Sequence, residues 1–396
     1  MEKMELRQIA EAIGIAKYPA ALDEVYATTV QTEEPACDLA LIEQLQQERN
    51  FFGEYYDQVC QAAVLINADE KRSAWIKNAV SYARVSKTAQ CRTIPTPKPD
   101  GTLVSAMLPV FILVPLIQSA IEEYRRRGFP EGEIDSLMSG FKGSMRASQR
   151  RMGLPGLDTI YFNWQCLFAK AVIYKAEGLQ FELRQLPPNA AYIQNKHTGK
   201  VLTMMNKGMV HRSGVQMLGS AGYEDEEGAF EVSFREDENN FYGFPCENHV
   251  IATTEQTFPK TDWQIFLRPD DDVLSIHIPR GCDMSPEAVD RYFEAGFKVA
   301  EERYADYNCK ALYGYSWILD PHLEELLGSE SKISSFQRRF IKYPPKTDGT
   351  AVFMFVFNGR PENLEDLEET TSLHRKLKKV YLDGGYNHPY AGIIVR

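Results

Sequence analysis

The feature that most constrains this chain is a change of hydrophobic period near Leu179. Before it, apolar residues recur at helical spacing. "LRQIAEAIGI" places Leu6, Ile9, Ile13 and Ile15 near that period, and "DLALIEQLQQERNFFGEYYDQVCQAAVLI" continues it with little Gly or Pro. From Leu179 the period is two. "LQFELRQL" sets Leu179, Phe181 and Leu183 against Gln180, Glu182 and Arg184, the pattern of a half-buried strand. A chain that changes period once folds as a helical part followed by a sheet-containing part, with the boundary between about residues 170 and 178.

Within the helical part, "KRSAWIKNAVSYARVSKTAQC" reads as a further helix. "PTPKPDG", Pro95 to Gly101, cannot be one, because its prolines remove donors and force extended geometry. The uncharged run Thr102 to Ile121 is long enough to span a bilayer. It carries Pro109 and Pro115 and has no second apolar partner segment, so a buried core helix is expected rather than a membrane span. A short helix follows, then a longer one from about Asp158. In the sheet part three hairpins are expected. The first is "AAYIQNKHTGKVLTMM", turning at His197-Thr198-Gly199, and the second is "FEVSFREDENNFYGF". The third is "WQIFLRPDDDVLSIHI", turning at Pro269-Asp270-Asp271. Next come a helix from Pro286 to about Tyr304, the strand "KALYGYSWI" and a helix opening at Asp320-Pro321. The strand "AVFMFVFNG", the helix "LEDLEETTSLHRKLKKVYL" and a terminal strand "AGIIVR" complete the order.

Net charge is -11, with a pI near 5.3. That balance argues against sequence-independent binding to nucleic acid or to an anionic membrane, which both need a basic footprint. An anionic small ligand stays open where positive potential is gathered locally. The seven cysteines are scattered and lack C-x-x-C spacing. Neither a disulfide framework nor a metal site is expected, and a reducing cytoplasm is the expected location. The N-terminal "MEKMELRQIAEAIGIAKY" carries acids and lacks the apolar core of a signal peptide.

One corner concentrates the chemistry: "DDDVLSIHIPRGCDMSPEAVDRYF", Asp270 to Phe293. Alternation sets Leu274, Ile276 and Ile278 on one strand face and Val273, Ser275 and His277 on the other. Pro279 weakens pairing beyond the strand. Ser285 suits an N-cap, Pro286 the first helical position and Glu287 the helix dipole. The helix stripe is Val289, Phe293, Gly296, Phe297, Ala300 and Tyr304. Amides at such a helix start, with Gly281 permitting close approach, can cradle phosphate, although most helix starts bind only water.

Taken in order, "GLQFEL", "DDDVLSIHIPRGCDMSPEAV" and "YGYSWILDPHLEELLGSESKISSFQRRF" resemble a family of bacterial acyltransferase-like proteins. Its members join an all-helical N-acyltransferase N-terminal domain to a GNAT-like C-terminal domain. The resemblance spans most of the chain, with "HIP…SPEAV" and "SWILDPHLEELL" as its most specific parts. It implies an α+β fold: a helical domain over 1–172, then a GNAT-like mixed sheet over 173–396, antiparallel hairpins leading into β-α-β-α-β. It also implies acyl-CoA as co-substrate, without a metal, and an amine-bearing acceptor as partner. The thioester would lie where the strands Val273–Ile278 and Ala311–Ile318 splay apart, with the pyrophosphate at the start of the helix from Pro286. The cofactor-binding positions so implied are Ile278, Arg280, Gly281, Ser285, Gly314 and Ser316. The phosphate loop departs from the family pattern. It has no second glycine, Asp283 brings a negative charge, and Pro286 removes a donor; Arg280 can supply the missing positive charge.

Direct acyl transfer to an amine needs a base, a polarised thioester oxygen and an acid for the departing thiolate. His277 is the candidate base, beside the competing reading of a structural histidine. Tyr313 and Tyr315 are candidate acids, and Glu182 a candidate amine-binding carboxylate. Asp320 reads as a helix cap. Cys282 or Cys309 with His277 would make a Cys-His pair, but without characteristic spacing. "HRKLKK", His374 to Lys379, reads as a solvated helix face or, less simply, a contact for the 3′-phosphate of CoA. Two classes of function stay open: an acyl-CoA-dependent N-acyltransferase, and a catalytically silent GNAT-like binding or regulatory protein.

Overall fold

The computed structural model describes residues 5–28, 34–98 and 100–396. The chain divides into two compact units at Lys175/Ala176, inside the short strand Ile173–Ala176. Among the described residues, the regular structure of the first unit between Leu6 and Ala169 is helical. Its central helix, Leu103–Arg126, begins at Thr102, whose hydroxyl accepts from the Ser105 amide. Pro109 and Pro115 lie inside it and each removes a backbone donor. Packing sustains the helix: Leu108, Ile112, Leu113 and Ile117 are buried, with Glu70–Val85 and Thr159–Ala169 as neighbours. It is long and apolar enough to cross a membrane, yet 72% of its apolar window is buried within the fold.

The longer helix expected from Asp158 is Thr159–Ala169, with Asp158 accepting from the Tyr161 amide at 3.0 Å. It ends because Ala171 adopts a left-handed conformation, φ +50°, after which Ile173–Ala176 is extended. Between it and the central helix lie two helices, Glu131–Met138 and Gly140–Met152, where one short helix is expected from the sequence. Pro95–Lys98 is irregular, while Pro99 and the first four residues of the N-terminal stretch lie outside the described residues.

The second unit is built on a main sheet. Its strands are β1 (Ile173–Ala176), β2 (Leu179–Gln185), β3 (Asp272–His277), β4 (Ala311–Ser316), β5 (Ile341–Tyr343) and β6 (Tyr390–Val395). Their spatial order is β1-β2-β3-β4-β6-β5. β3 and β4 are parallel and are connected through helix α1 (Pro286–Arg303). β2 on β3, β6 on β4 and β5 on β6 are antiparallel. A second sheet contains the expected hairpin of Ala190–Asn195 with Val201–Met205, together with Trp263–Leu267, Pro245–Glu247 and Val250–Ile251. Leu186, Tyr192, Met205 and Leu267 share one core with Val273, Tyr313, Tyr343 and Ile393, so one face of the main sheet packs on the second sheet. On the other face the predicted stripe of α1 is buried, and Gly296 lets the helix approach the Phe181 ring. Two short helices, α2 (His322–Leu327) and α3 (Lys332–Gln337), follow β4.

Four expectations are corrected. Trp263–Leu267 and β3 do not form a hairpin: Trp263–Leu267 pairs with Ala190–Asn195, while β3 pairs with β2 and β4. The turn at Pro269–Asp271 therefore carries the chain from one sheet to the other, a choice made by distant partners rather than by turn chemistry. The run "AVFMFVFNG" contains a helix, Ala351–Phe355. Val352, Phe353, Val356 and Phe357 are buried while Met354 and Phe355 are exposed, a helical spacing that a short apolar run disguises. The expected helix from Leu364 is a single turn, Leu364–Asp366, and a separate helix Ser372–Leu382. The second hairpin forms in part. Arg235–Glu236 pairs with Asn240–Gly243, while Phe230–Ser233 pairs with Lys207–Val210.

Candidate active site

The parallel ladder between β3 and β4 is short. It registers Leu274 with Leu312 and Ser275 with Tyr313, and goes no further. Both strands continue on other partners: β3 to His277 opposite Gln180 of β2, and β4 to Ser316 opposite Tyr390 of β6. The ladder therefore stops short of both C-terminal ends, and the facing edges of Ile276–His277 and Gly314–Ser316 are not joined by it. Pro279, just past β3, cannot extend it.

Register also decides which side chains meet. Ser275 stands opposite Glu182 on one side and Tyr313 on the other. Strand alternation then places Glu182, His277, Tyr313 and Tyr315 on the same face. All four candidate catalytic residues thus share the face that packs on the second sheet. His277 Nε2 lies 2.8 Å from Glu182 Oε2. The glutamate side chain is 7% exposed and the histidine 27%. A carboxylate only accepts, so Nε2 carries the proton in the neutral ring, which leaves the lone pair on Nδ1. Tyr313 is buried beneath the Arg184 guanidinium, 5.5 Å from its ring centroid, and burial raises its pKa. Burial also raises that of Tyr315, although its side chain is half exposed and Thr347 beside it works in the other direction. Both phenols stay protonated near neutrality.

The remaining candidates divide. Gly314 faces the helices, where an added Cβ would lie 2.6 Å from the Phe340 ring, so its small size admits that ring. Ser316 Oγ accepts from the Ile318 amide and caps the turn Trp317–Leu319. Ile278 lies just beyond β3 and is half-buried. Arg280 is exposed, and among the described residues no hydrogen bond or ion pair engages it. Gly281 has φ +80° with open space around it, so the backbone rather than a close neighbour requires glycine.

The helix start differs from expectation. Ser285 occupies the N-cap position, but its hydroxyl makes no cap bond and instead donates to Asp283 Oδ2 at 2.9 Å. The Ser285 amide donates to Asp283 Oδ1, also at 2.9 Å, and Lys332 Nζ approaches the same oxygen at 3.1 Å. These bonds, the amide's foremost, hold the Asp283 carboxyl down at about 2. An internal anion thus takes one helix-start donor, and Pro286 lacks another. The corner fits an open strand pair well and a phosphate cradle poorly.

Asp320 is 1% exposed and joins two segments. It accepts from the His322 amide and Nδ1, from Asn387 Nδ2 and from the His388 amide, all within 3.0 Å. The cysteine alternative loses ground, because burial pushes the Cys282 thiol up and the Cys309 thiol to about 11. The basic run is engaged locally rather than simply solvated. Lys376 reaches the Leu326 carbonyl, Lys379 pairs with Asp383, and buried Lys378 binds Glu369 and the Leu367 carbonyl. Among the described residues no group of three or more His, Cys, Asp and Glu could hold a metal. A cavity of about 190 Å³ lies at the opposite, N-terminal end of β3, lined by Leu267, Asp270–Asp272, Asn308 and Lys310.

A mixed sheet with one parallel pair that parts beyond a β-α-β crossover is the arrangement of GNAT-like acyltransferase domains. The model of the family described as GNAT-like C-terminal domain matches residues 173–394, and the chain belongs to that family. No curated protein matches the sequence. Among solved structures, an acyltransferase bound to CoA and 10C-teicoplanin aligns with TM-score 0.66 at 15% identity, over 99% of each chain. One bound to decanoyl-CoA and teicoplanin gives the same values. A tryptophan-to-alanine mutant bound to octanoyl-CoA aligns with TM-score 0.66 at 14% identity, again over 99% of both. The α+β fold read from the sequence, helical part and GNAT-like sheet together, is the fold these proteins share.

Proposed function

We propose that this chain is an acyl-CoA-dependent N-acyltransferase, with residues 1–172 as its helical N-terminal domain and 173–396 as its catalytic domain. The observation that carries the reading is the end of the β3–β4 ladder at Ser275/Tyr313, with the His277–Glu182 pair on the adjoining face. The acyl-CoA bound by the similar structures supports it, and octanoyl- and decanoyl-CoA are the thioesters to try first. A cytoplasmic setting belongs to the same reading, in keeping with seven free thiols.

In the proposed mechanism the neutral amine attacks the thioester carbonyl carbon, a C–N bond forms and the C–S bond breaks. The amine proton passes to His277 Nδ1, while Glu182 stabilises the imidazolium through Nε2–H. A backbone N–H on the opened edge of β3 faces the carbonyl oxygen. The departing thiolate takes a proton from Tyr315, the more exposed of the two phenols, and solvent exchange resets both groups. Tyr313, buried under Arg184, serves as packing. Arg280 supplies charge for the CoA phosphates.

One observation favours the catalytically silent alternative: Asp283 already engages the helix start where phosphate would bind. Assaying CoA thiol release from octanoyl-CoA against a panel of primary amines, with product mass by spectrometry, separates the two. Amide product at a rate abolished in His277→Gln is the expected result. Thioester turnover no faster than without protein, across all the amines, would leave the silent module.

A further inference from the structure

Beside the C-terminal end of β4, two loops hold an aromatic side chain in the open. Tyr386 is 41% exposed, yet glycines fix both edges of its ring. A Cβ on Gly349 would lie 3.0 Å from its Cδ1, and one on Gly222 3.3 Å from its Cδ2. Both glycines have positive φ, +67° and +79°, which other residues rarely adopt. The Gly349 loop also reaches β4. Thr347 lies beside the Tyr315 phenol, its amide meets Ser220 Oγ, and the Gly349 amide donates to Thr347 Oγ1.

Each loop brings a carboxylate. Glu224 accepts from the Gly222 amide at 3.0 Å, and Asp348 accepts from the Thr350 amide and hydroxyl. Both are exposed, and among the described residues neither has a basic partner. The basic residue of the second loop, Lys346, reaches toward Gly219 instead. His388, only 4% exposed, has its ring centroid 5.4 Å from that of Tyr223 and 6.2 Å from that of Tyr386. Its Nε2 is spent on the Ala221 carbonyl at 2.8 Å, so in the neutral ring Nδ1 carries the lone pair. That nitrogen is buried and, among the described residues, has no donor. A buried acceptor without a partner is costly and asks for an N–H or O–H.

We infer that Tyr386, Tyr315, Glu224, Asp348 and His388 form the subsite that captures the acceptor as a protonated primary amine. Aromatic faces and carboxylates both attract an ammonium group, and a buried imidazole lone pair accepts one of its N–H bonds. The inference rests on the acyltransferase reading, because it names where that reaction's acceptor is gathered. An amine held beside the end of β4 lies next to Tyr315, at the mouth of the parted strands, and releases its extra proton to solvent before the neutral amine attacks.

Binding without acyl-CoA tests the subsite separately from the reaction. Titrate the full chain by NMR with phenethylamine, cationic at pH 7, and with phenylacetate, an anion of similar shape. The amine should bind in the millimolar range and phenylacetate at least tenfold more weakly. Tyr386→Ala should weaken amine binding about three- to tenfold, and Tyr386→Leu, which keeps bulk without the π face, should do the same. Glu224→Gln with Asp348→Asn should weaken it several-fold and flatten its salt dependence. Equal affinity for the two probes, no amine binding by the wild type, or unchanged binding in folded Tyr386→Leu would each overturn the subsite. Octanoyl-CoA should raise the melting temperature equally in all these variants. Amine binding with no response to octanoyl-CoA would sustain the subsite and sink the acyltransferase reading.

Discussion

The two faces of the main sheet are built from the same strands and differ in what they are for. One face carries Glu182, Ser275, His277, Tyr313 and Tyr315, drawn together by the register of β2, β3 and β4. The other carries Phe181, Leu274 and Gly314, closed by α1 and by the Phe340 ring. Small residues at the parted end of β4 invite the idea of space for a ligand. The difference teaches otherwise: on the helix face a small residue is filled by protein, and the polar groups lie on the opposite side.

The strongest way to break this comparison is at His277. His277→Gln should lower turnover about a hundredfold or more, since positioned bases contribute roughly 10²–10⁴. Its octanoyl-CoA-induced rise in melting temperature should remain. Residual activity equal to wild type would make His277 a structural partner of Glu182. The helix face should answer with stability instead. Gly314→Val places a side chain into the Phe340 ring, and overpacking of this kind costs about 1–3 kcal/mol. Chemical denaturation of the variant reads it, and an unchanged midpoint would mean that the ring can move aside.

A buried cation on the helix face sharpens the contrast further. Lys342, registered with Gly392 and bonded to Gln337 Oε1 at 2.7 Å, is depressed by burial to about 8. Between pH 8 and its ordinary value of about 10.5 the unfolded chain holds a proton that the folded chain has released. Lys342 therefore makes stability rise with pH through that window, and below it the contribution is constant. Lys342→Met should remove this rise when melting temperatures at pH 7.5 and 10 are compared. A variant whose pH dependence parallels the wild type would refute the assignment. The smallest effect is expected at the corner. Asp283→Asn removes the internal anion and should tighten CoA binding several-fold, whereas weaker binding would show that Asp283 organises the cradle.

Much of this was legible from the sequence, in proportion to how local each signal is. The period change at Leu179, the buried stripe of α1 and proline at its first turn all act within a few residues. They read correctly. The pairing of Trp263–Leu267 and the His277–Glu182 contact are settled by partners distant in sequence, so only the polar position of each residue could be seen. The run at 351–357 was misread because alternation and helical spacing coincide over so few apolar residues. Tyr386 and His388 carried no signal, since their roles depend on glycines in two separate loops.

Hydrogen exchange of the full chain with and without octanoyl-CoA tests the central claim most directly. If the parted strands hold the thioester, protection should concentrate at Ile276–Ile278 and Gly314–Ser316, the facing ends of β3 and β4. Protection confined to the Asp270–Asp272 cavity at the opposite end of β3, or no change at saturating thioester, would contradict it.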